Sequence, residues 1–197
     1  MPTGSSQGGS TGQVEILHSG YFARRNAFDW VLALAVVCGA AFAFIQYHAA
    51  MDVYEKGILI AAVPCAIMLA WFWRPLGILM LVVAGLSLAG IVSYQGNLAR
   101  AETVFWLKYF LSSQSAILWM SMLFFMSTVF YWIGVFAKGR AEGMELVASR
   151  LVWVAVTMAL TGTMVRWYES YLLGADIGHI PVSNLYEVFV MFCWMTA

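Results

Sequence analysis

The sequence predicts an all-α membrane protein, a polytopic bundle of transmembrane helices with five full spans and the start of a sixth. Of its 197 residues, 62% are hydrophobic and only 10% are charged, whereas a soluble domain usually carries about a quarter charged residues. The mean hydropathy is +0.81. The few charges fall between apolar blocks, several of which approach the roughly 20 residues that cross a 30 Å hydrocarbon core.

The charge balance and the cysteines exclude some classes of function. Ten Lys and Arg residues balance ten Asp and Glu residues, so no basic surface indicates binding to nucleic acid. Cys38, Cys65 and Cys193 each stand alone in an apolar stretch, as expected for small apolar side chains inside a bundle. A membrane thiol–disulfide transporter needs paired thiols and is therefore disfavoured.

The N-terminal segment differs in composition from the rest of the chain. It begins MPTGSSQGGSTGQ, and this Gly/Ser-rich run cannot bury a core. We therefore expect residues 1–26 to form a disordered cytoplasmic tail, and the first apolar block to remain as a signal anchor. Residues 27–197 are expected to form the transmembrane helical domain.

Apolar blocks of spanning length mark the five full spans, predicted at Trp30–Tyr47, Gly57–Trp73, Leu76–Tyr94, Ala116–Phe136 and Val147–Trp167. Arg150 and Arg166 mark the ends of the fifth, and only 15 residues lie between them. Ala99–Ser115 mixes charged and aromatic residues, which predicts a helix lying in the membrane interface. An aromatic dock for a planar ligand is the alternative.

A sixth apolar block, Asn184–Ala197, has 14 residues, and at 1.5 Å per residue it reaches roughly 21 Å, less than a full crossing. We therefore expect the transmembrane domain to be incomplete at its C-terminus, and the chain to be the N-terminal portion of a longer protein.

The distribution of Lys and Arg predicts the orientation. With the N-terminus inside, six of these residues lie on the cytoplasmic side and four on the outer side, as the positive-inside rule favours. This predicts a multi-pass protein with a cytoplasmic N-terminus and with the Gly178–Ser183 turn facing outward, to the periplasm if the cell is Gram-negative.

The sixth block begins with a helix-start pattern. Asn184 can act as N-cap, and Glu187, three residues later, can reach back to the amide of the cap. Pro181 keeps the residue before it out of helical geometry. Capping explains Asn184 and Glu187, but not why His179, Arg166 and several acids surround the same loop.

The stretch RWYESYLLGADIGHIPVSNLYEVFVMFCW resembles the CcsA/ResC family of cytochrome c biogenesis proteins. In that family an Arg-Trp pair at the end of one transmembrane helix precedes a Gly-His-x-Pro-x-Ser-Asn-Leu-Tyr-Glu turn. The resemblance is close only over residues 166–187, at Arg166, Trp167, Gly178, His179, Pro181, Ser183, Asn184, Leu185, Tyr186 and Glu187.

The resemblance implies a function. Members of the family work with a CcsB/ResB-type membrane partner, deliver haem to the outer face and attach it to apocytochrome c. The complete complex resembles a cytochrome c haem lyase. The family's Trp-rich haem-handling segment is absent here and is expected beyond Ala197, so this chain alone is not expected to catalyse attachment. Whether it counts as an enzyme stays open.

His179 and Arg166 are the candidate haem-binding residues. His179 either contacts haem or makes hydrogen bonds within the loop. Arg166 either extends to the interface or pairs with Glu169, with Asp176 or with a haem propionate. His48 is interpreted as an interfacial residue in preference to a residue on the haem route. The alternative function is a structural or transport subunit of a membrane complex that uses no haem.

Overall fold

A computed structural model describes residues 25–49, 51, 53–136, 141–174, 178 and 180–197. In these residues the structure is helical and contains no strand. The elements in chain order are α1 (Ala27–Tyr47), α2 (Val53–Phe72), α3 (Arg74–Tyr94), α4 (Arg100–Thr103), a π-helical turn (Leu107–Leu111), α5 (Ser113–Phe136), α6 (Ala141–Leu173) and α7 (Leu185–Met195). The chain divides into two compact units, one ending at Gly77 and one beginning at Ile78. The predicted tail, residues 1–26, lies outside the described residues except for its last two.

Four of the described helices are long and apolar enough to cross a membrane. They are α1, α3, α5 and the Glu142–Leu173 part of α6. The prediction of an all-helical protein with apolar helices of membrane-spanning length is confirmed for the described residues. The predicted second span corresponds to α2, which has Pro64 inside it and a shorter apolar part, Lys56–Phe72. The count of five full spans and a sixth start is not confirmed.

In the first unit, contacts of Asp29 stabilise the N-terminal end of α1. Its carboxylate accepts a hydrogen bond from the Asn26 amide at 3.0 Å and lies 3.6 Å from the Arg74 guanidinium. The Trp71 indole donates to the backbone oxygen of Asp29 at 3.0 Å. Asp29 thus takes part in capping α1, whose N-cap residue is Asn26.

In the second unit, α5 and α6 pack closely because small residues face each other. A Cβ atom added to Gly162 would lie 3.1 Å from both the Ala116 Cβ and the Ile117 Cγ1. Ala116 and Ala159 are fully buried. Such small residues let two helix backbones approach each other, as is common between membrane helices.

Helix α6 is longer than the predicted fifth span. It has 33 residues, roughly 50 Å at 1.5 Å per residue, whereas the sequence predicted Val147–Trp167. Arg150 and Arg166 lie inside the helix and do not mark its ends. Backbone hydrogen bonds continue a helix past the apolar block, and the last turns of α6 therefore carry Arg166 and Glu169.

The prediction of one interfacial helix over Ala99–Ser115 is wrong. The segment forms the short α4, an extended residue at Val104 (φ −86°, ψ 119°) and the π-helical turn. Leu107 and Leu111 are buried with Tyr94 and Val165. Breaking the helix at Val104 lets these leucines enter the core while neighbouring aromatic side chains stay exposed.

Candidate functional site

The centre of the candidate site is the carboxylate of Glu169, near the C-terminal end of α6. Glu169 is 6% exposed. Three donors converge on it: the Tyr94 hydroxyl at 2.5 Å from Oε1, the Ser113 amide at 3.0 Å from Oε1 and the Ser113 hydroxyl at 2.5 Å from Oε2. A buried charge is tolerated only when such partners replace water.

This carboxylate joins three helix ends. Tyr94 is the last residue of α3, Ser113 is the first residue of α5, and Glu169 lies one turn before the end of α6. The amide of a first helical residue has no partner inside its own helix. Glu169 supplies that partner from another helix, so it fixes where α5 begins.

Arg166 connects Glu169 to the last described helix. Its Nη1 lies 4.0 Å from Glu169 Oε2, and its Nε donates to Glu187 Oε1 at 3.3 Å. The Arg166 side chain is 31% exposed, whereas that of Glu187 is 3% exposed. The guanidinium thus stands between two buried carboxylates and is partly open to solvent.

The start of α7 is capped by two side chains. The Asn184 side chain accepts a hydrogen bond from the Glu187 amide at 2.9 Å, which confirms the predicted N-cap. Glu187 Oε2 accepts from the Ser183 amide at 3.2 Å and from the Ser183 hydroxyl at 3.3 Å. The sequence predicted that the Glu187 side chain would accept a hydrogen bond from the amide of Asn184. The observed bonds come instead from Ser183, one residue earlier in the chain.

A cavity of about 640 Å³ opens beside these residues. Tyr94 and Glu169 lie at its buried part, Arg166 forms a wall, and the exposed Lys108 and Glu102 also line it. A second cavity of about 360 Å³ is lined by Ser113, Gln114, Arg166 and Tyr186. Arg166 therefore borders both cavities.

The structure brings part of the predicted motif into this network. Arg166, Ser183, Asn184 and Glu187 meet there. Pro181 is buried beside Arg166 and Glu187 at a small cleft.

The other motif residues lie around the network. Tyr186 borders the second cavity. Leu185 is 72% exposed and Trp167 is 38% exposed. The Gly178 amide donates to the Gly174 oxygen at 3.0 Å.

His179 and Asp176 lie outside the described residues, so their predicted roles stay predictions. His48 is described but is not among the residues of this site. His48 belongs to the first unit, where it is exposed, its Nδ1 lies 3.0 Å from the Ile45 oxygen, and its ring stacks on Phe44 at 6.1 Å.

Tyr94, Ser113 and Lys108 were not singled out from the sequence as site residues. Ser112–Ser113 before an apolar run is an ordinary helix-start pattern, and Tyr94 stood out only as an aromatic residue at the end of a span. The meeting of Tyr94 and Ser113 at Glu169 depends on contacts 75 and 56 residues apart in the chain. Nothing local in the sequence encodes such a pairing.

The described residues around the cavity include groups that suit a haem propionate but no common axial ligand of haem iron. Arg166 and Lys108 offer positive charge for a propionate. The described residues that line the 640 Å³ cavity include no His, Cys or Met, which are common axial ligands of haem iron. The one Tyr among them, Tyr94, is engaged by Glu169. No step of a mechanism is therefore derived through haem iron.

The fold and the site together define a helical protein with membrane-length helices and a buried Tyr–Glu–Arg–Glu network at helix ends. No protein-family model, no curated protein and no solved structure matches the chain. The family resemblance of residues 166–187 therefore bears on function only as a proposal.

Proposed function

We propose that the chain is a CcsA/ResC-type membrane protein of cytochrome c biogenesis. In this role it works with a CcsB/ResB-type partner to deliver haem to the outer face for attachment to apocytochrome c. The observation that carries the proposal is the bond of Arg166 to Glu187, which is itself hydrogen-bonded to Ser183 and Asn184. Residues that the resemblance connects along the sequence here form one hydrogen-bonded unit.

The proposal includes a topology of five full spans and the start of a sixth. Helix α2 has 20 residues, roughly 30 Å at 1.5 Å per residue, which equals the thickness of the hydrocarbon core. Helix α7 has 11 residues and reaches roughly 16 Å, as the beginning of a span. The N-terminus lies in the cytoplasm of a bacterial cell, and the Glu187 network lies at the outer face.

The residues of the site position the turn before α7. Arg166 pairs with Glu187, and Glu187 holds Ser183, so the turn is bound to the end of α6. Glu169 in turn binds α6 to the ends of α3 and α5. Haem supplies the vinyl groups that form thioether bonds with the cysteines of apocytochrome c. The network keeps the outer turn in a fixed place relative to three helix ends.

The test measures covalent haem in c-type cytochromes of the source cell. We expect loss of haem-stained cytochrome bands when the gene is deleted, and a strong decrease for Glu187→Gln at the native locus. Arg150→Gln is the matched control, because Arg150 is exposed at the other end of α6. Unchanged haem staining in the deletion strain would refute the proposal.

The second candidate is a structural or transport subunit without haem. It is favoured by the donors that already satisfy Glu169 and Glu187, since a saturated network needs no ligand to hold helices together. The full chain purified from its native membrane distinguishes the two. A haem absorbance band supports the first candidate, whereas no bound haem together with normal c-type cytochromes supports the second.

A further inference from the structure

The guanidinium of Arg166 has more donors than the described residues use. A guanidinium carries five N–H groups. Its Nε donates to Glu187 at 3.3 Å, and the shortest distance to Glu169, from Nη1, is 4.0 Å, beyond a hydrogen bond. Among the described residues, none accepts a hydrogen bond from its Nη1 or Nη2 atoms. Apart from the ion pair of Nη1 with Glu169, the hydrogen-bond donors on this edge of the guanidinium are available to an anion.

Glu169 has hydrogen-bond donors other than the Nη1 and Nη2 groups of Arg166. The Tyr94 hydroxyl and both polar groups of Ser113 already donate to its two oxygens. With Nε directed to Glu187, the Nη1–Nη2 edge is the one that remains. Two parallel N–H donors match the two oxygens of a carboxylate.

Lys108 supplies a second positive charge to the same cavity. Its side chain is exposed, and its ammonium lies 5.7 Å from the centre of the Tyr109 ring. No described acid lies within ion-pair distance of it. Lys108 and Arg166 both line the 640 Å³ cavity, so both are available to one occupant.

The remaining lining residues restrict the kind of occupant. Glu102 and Glu169 also line the cavity, so its two positive and two negative described charges cancel. A bare inorganic anion is therefore not attracted by net charge. Leu98, Ala101 and Leu173 add apolar surface, which stabilises a ligand that combines an anionic group with an apolar body.

We infer that this cavity binds an amphiphilic carboxylate. Arg166 holds the carboxylate through its Nη1–Nη2 edge, Lys108 lies beside it, and the apolar wall contacts the body of the ligand. Two sources share this chemistry, a porphyrin propionate and a fatty acid. Only the choice of the porphyrin rests on the proposed function.

The first experiment uses the full chain in phosphatidylcholine nanodiscs. Binding of metal-free protoporphyrin IX is followed by its fluorescence, with its dimethyl ester as the probe that lacks free carboxylates and empty nanodiscs as the background. We expect the ester to bind about tenfold more weakly, because hydrogen bonds to charged groups are strong. Equal binding of the acid and the ester would overturn a carboxylate site for porphyrin.

Substitutions of the two basic residues test whether the porphyrin binds in this cavity. We expect Arg166→Gln to weaken binding about tenfold and Lys108→Gln to weaken it about two- to fivefold, as an exposed charge does. Lys108→Gln leaves the Glu169 network intact, so it keeps the test valid if Arg166→Gln unfolds the protein. Arg150→Gln is the control and should bind as the wild type does. Unchanged binding by Lys108→Gln would place the ligand elsewhere and overturn the inference.

A second set of titrations uses laurate and dodecyl phosphate as probes. These titrations distinguish a fatty acid from a porphyrin propionate as the source of the carboxylate. If laurate binds with the same dependence on Arg166 and Lys108 while protoporphyrin does not bind, the carboxylate site stands and its link to haem delivery fails. If dodecyl phosphate binds more tightly than laurate, the assignment to a carboxylate is wrong.

Discussion

Replacing Glu169 with Gln tests whether its charge holds three helix ends together. The substitution keeps the shape of the side chain and removes the charge. The donors are the Tyr94 hydroxyl, the Ser113 amide and the Ser113 hydroxyl. Each bond changes from a charged acceptor, about 1.5–3 kcal/mol, to a neutral one, about 0.5–1.5 kcal/mol. The expected loss is about 1 kcal/mol per bond, or about 3 kcal/mol in all.

Geometry determines how the three bonds rearrange. If the Gln oxygen takes the place of Oε1, it still accepts from Tyr94 and from the Ser113 amide. Its NH₂ group then lies at the place of Oε2 and donates to the Ser113 hydroxyl, which reverses its role. The same NH₂ group faces Arg166 Nη1, which lies 4.0 Å from Oε2 in the wild type. The guanidinium therefore loses one of its two counter-charges.

The assay is unfolding of the full chain in detergent micelles, followed by tryptophan fluorescence as denaturant is added. Glu145→Gln is the matched control, because Glu145 is exposed on the same helix, and it should change stability by less than about 0.5 kcal/mol. If Glu169→Gln is as stable as Glu145→Gln, the carboxylate does not hold the helix ends.

A double-mutant cycle with Tyr94→Phe isolates one bond. Alone, Tyr94→Phe should cost about 2 kcal/mol, and in the Glu169→Gln background about 1 kcal/mol, because the acceptor is then neutral. The coupling energy is about 1 kcal/mol, above the 0.3–0.5 kcal/mol error of additivity for distant sites. Additive effects would show that the Tyr94 hydroxyl and Glu169 do not interact.

Three further changes test other contacts by the same unfolding assay. Asn184→Ala removes the N-cap of α7 and should cost about 1 kcal/mol; no change would mean that the cap does not form. Gly162→Val places side-chain atoms against Ala116 and Ile117, each 3.1 Å from a new Cβ, and should cost about 1–3 kcal/mol, whereas unchanged stability would contradict close packing of α5 and α6. Arg74→Gln should cost less than about 1 kcal/mol, because its side chain is 54% exposed in the pair with Asp29; a larger loss would mean that solvent does not screen this pair.

The position of the helices was predictable because hydropathy and capping act over short stretches of chain. Four of the predicted spans coincide with described helices of spanning length, and the N-cap at Asn184 formed as its spacing indicated. The length of α6 was not predictable in this way. Arg166 looked like the end of an apolar block, yet the helix continues for seven residues beyond it.

The sequence by itself determined that the chain is helical, that its long helices are apolar enough for a membrane, and that α7 begins at a polar cap. Only the tertiary structure decided that Glu169, Tyr94 and Ser113 share buried hydrogen bonds and that Arg166 stands between two carboxylates. Spans and caps depend on residues within a few turns of one another, which a sequence pattern records. The network joins side chains 21 to 75 residues apart, and their partners are fixed by how the helices pack.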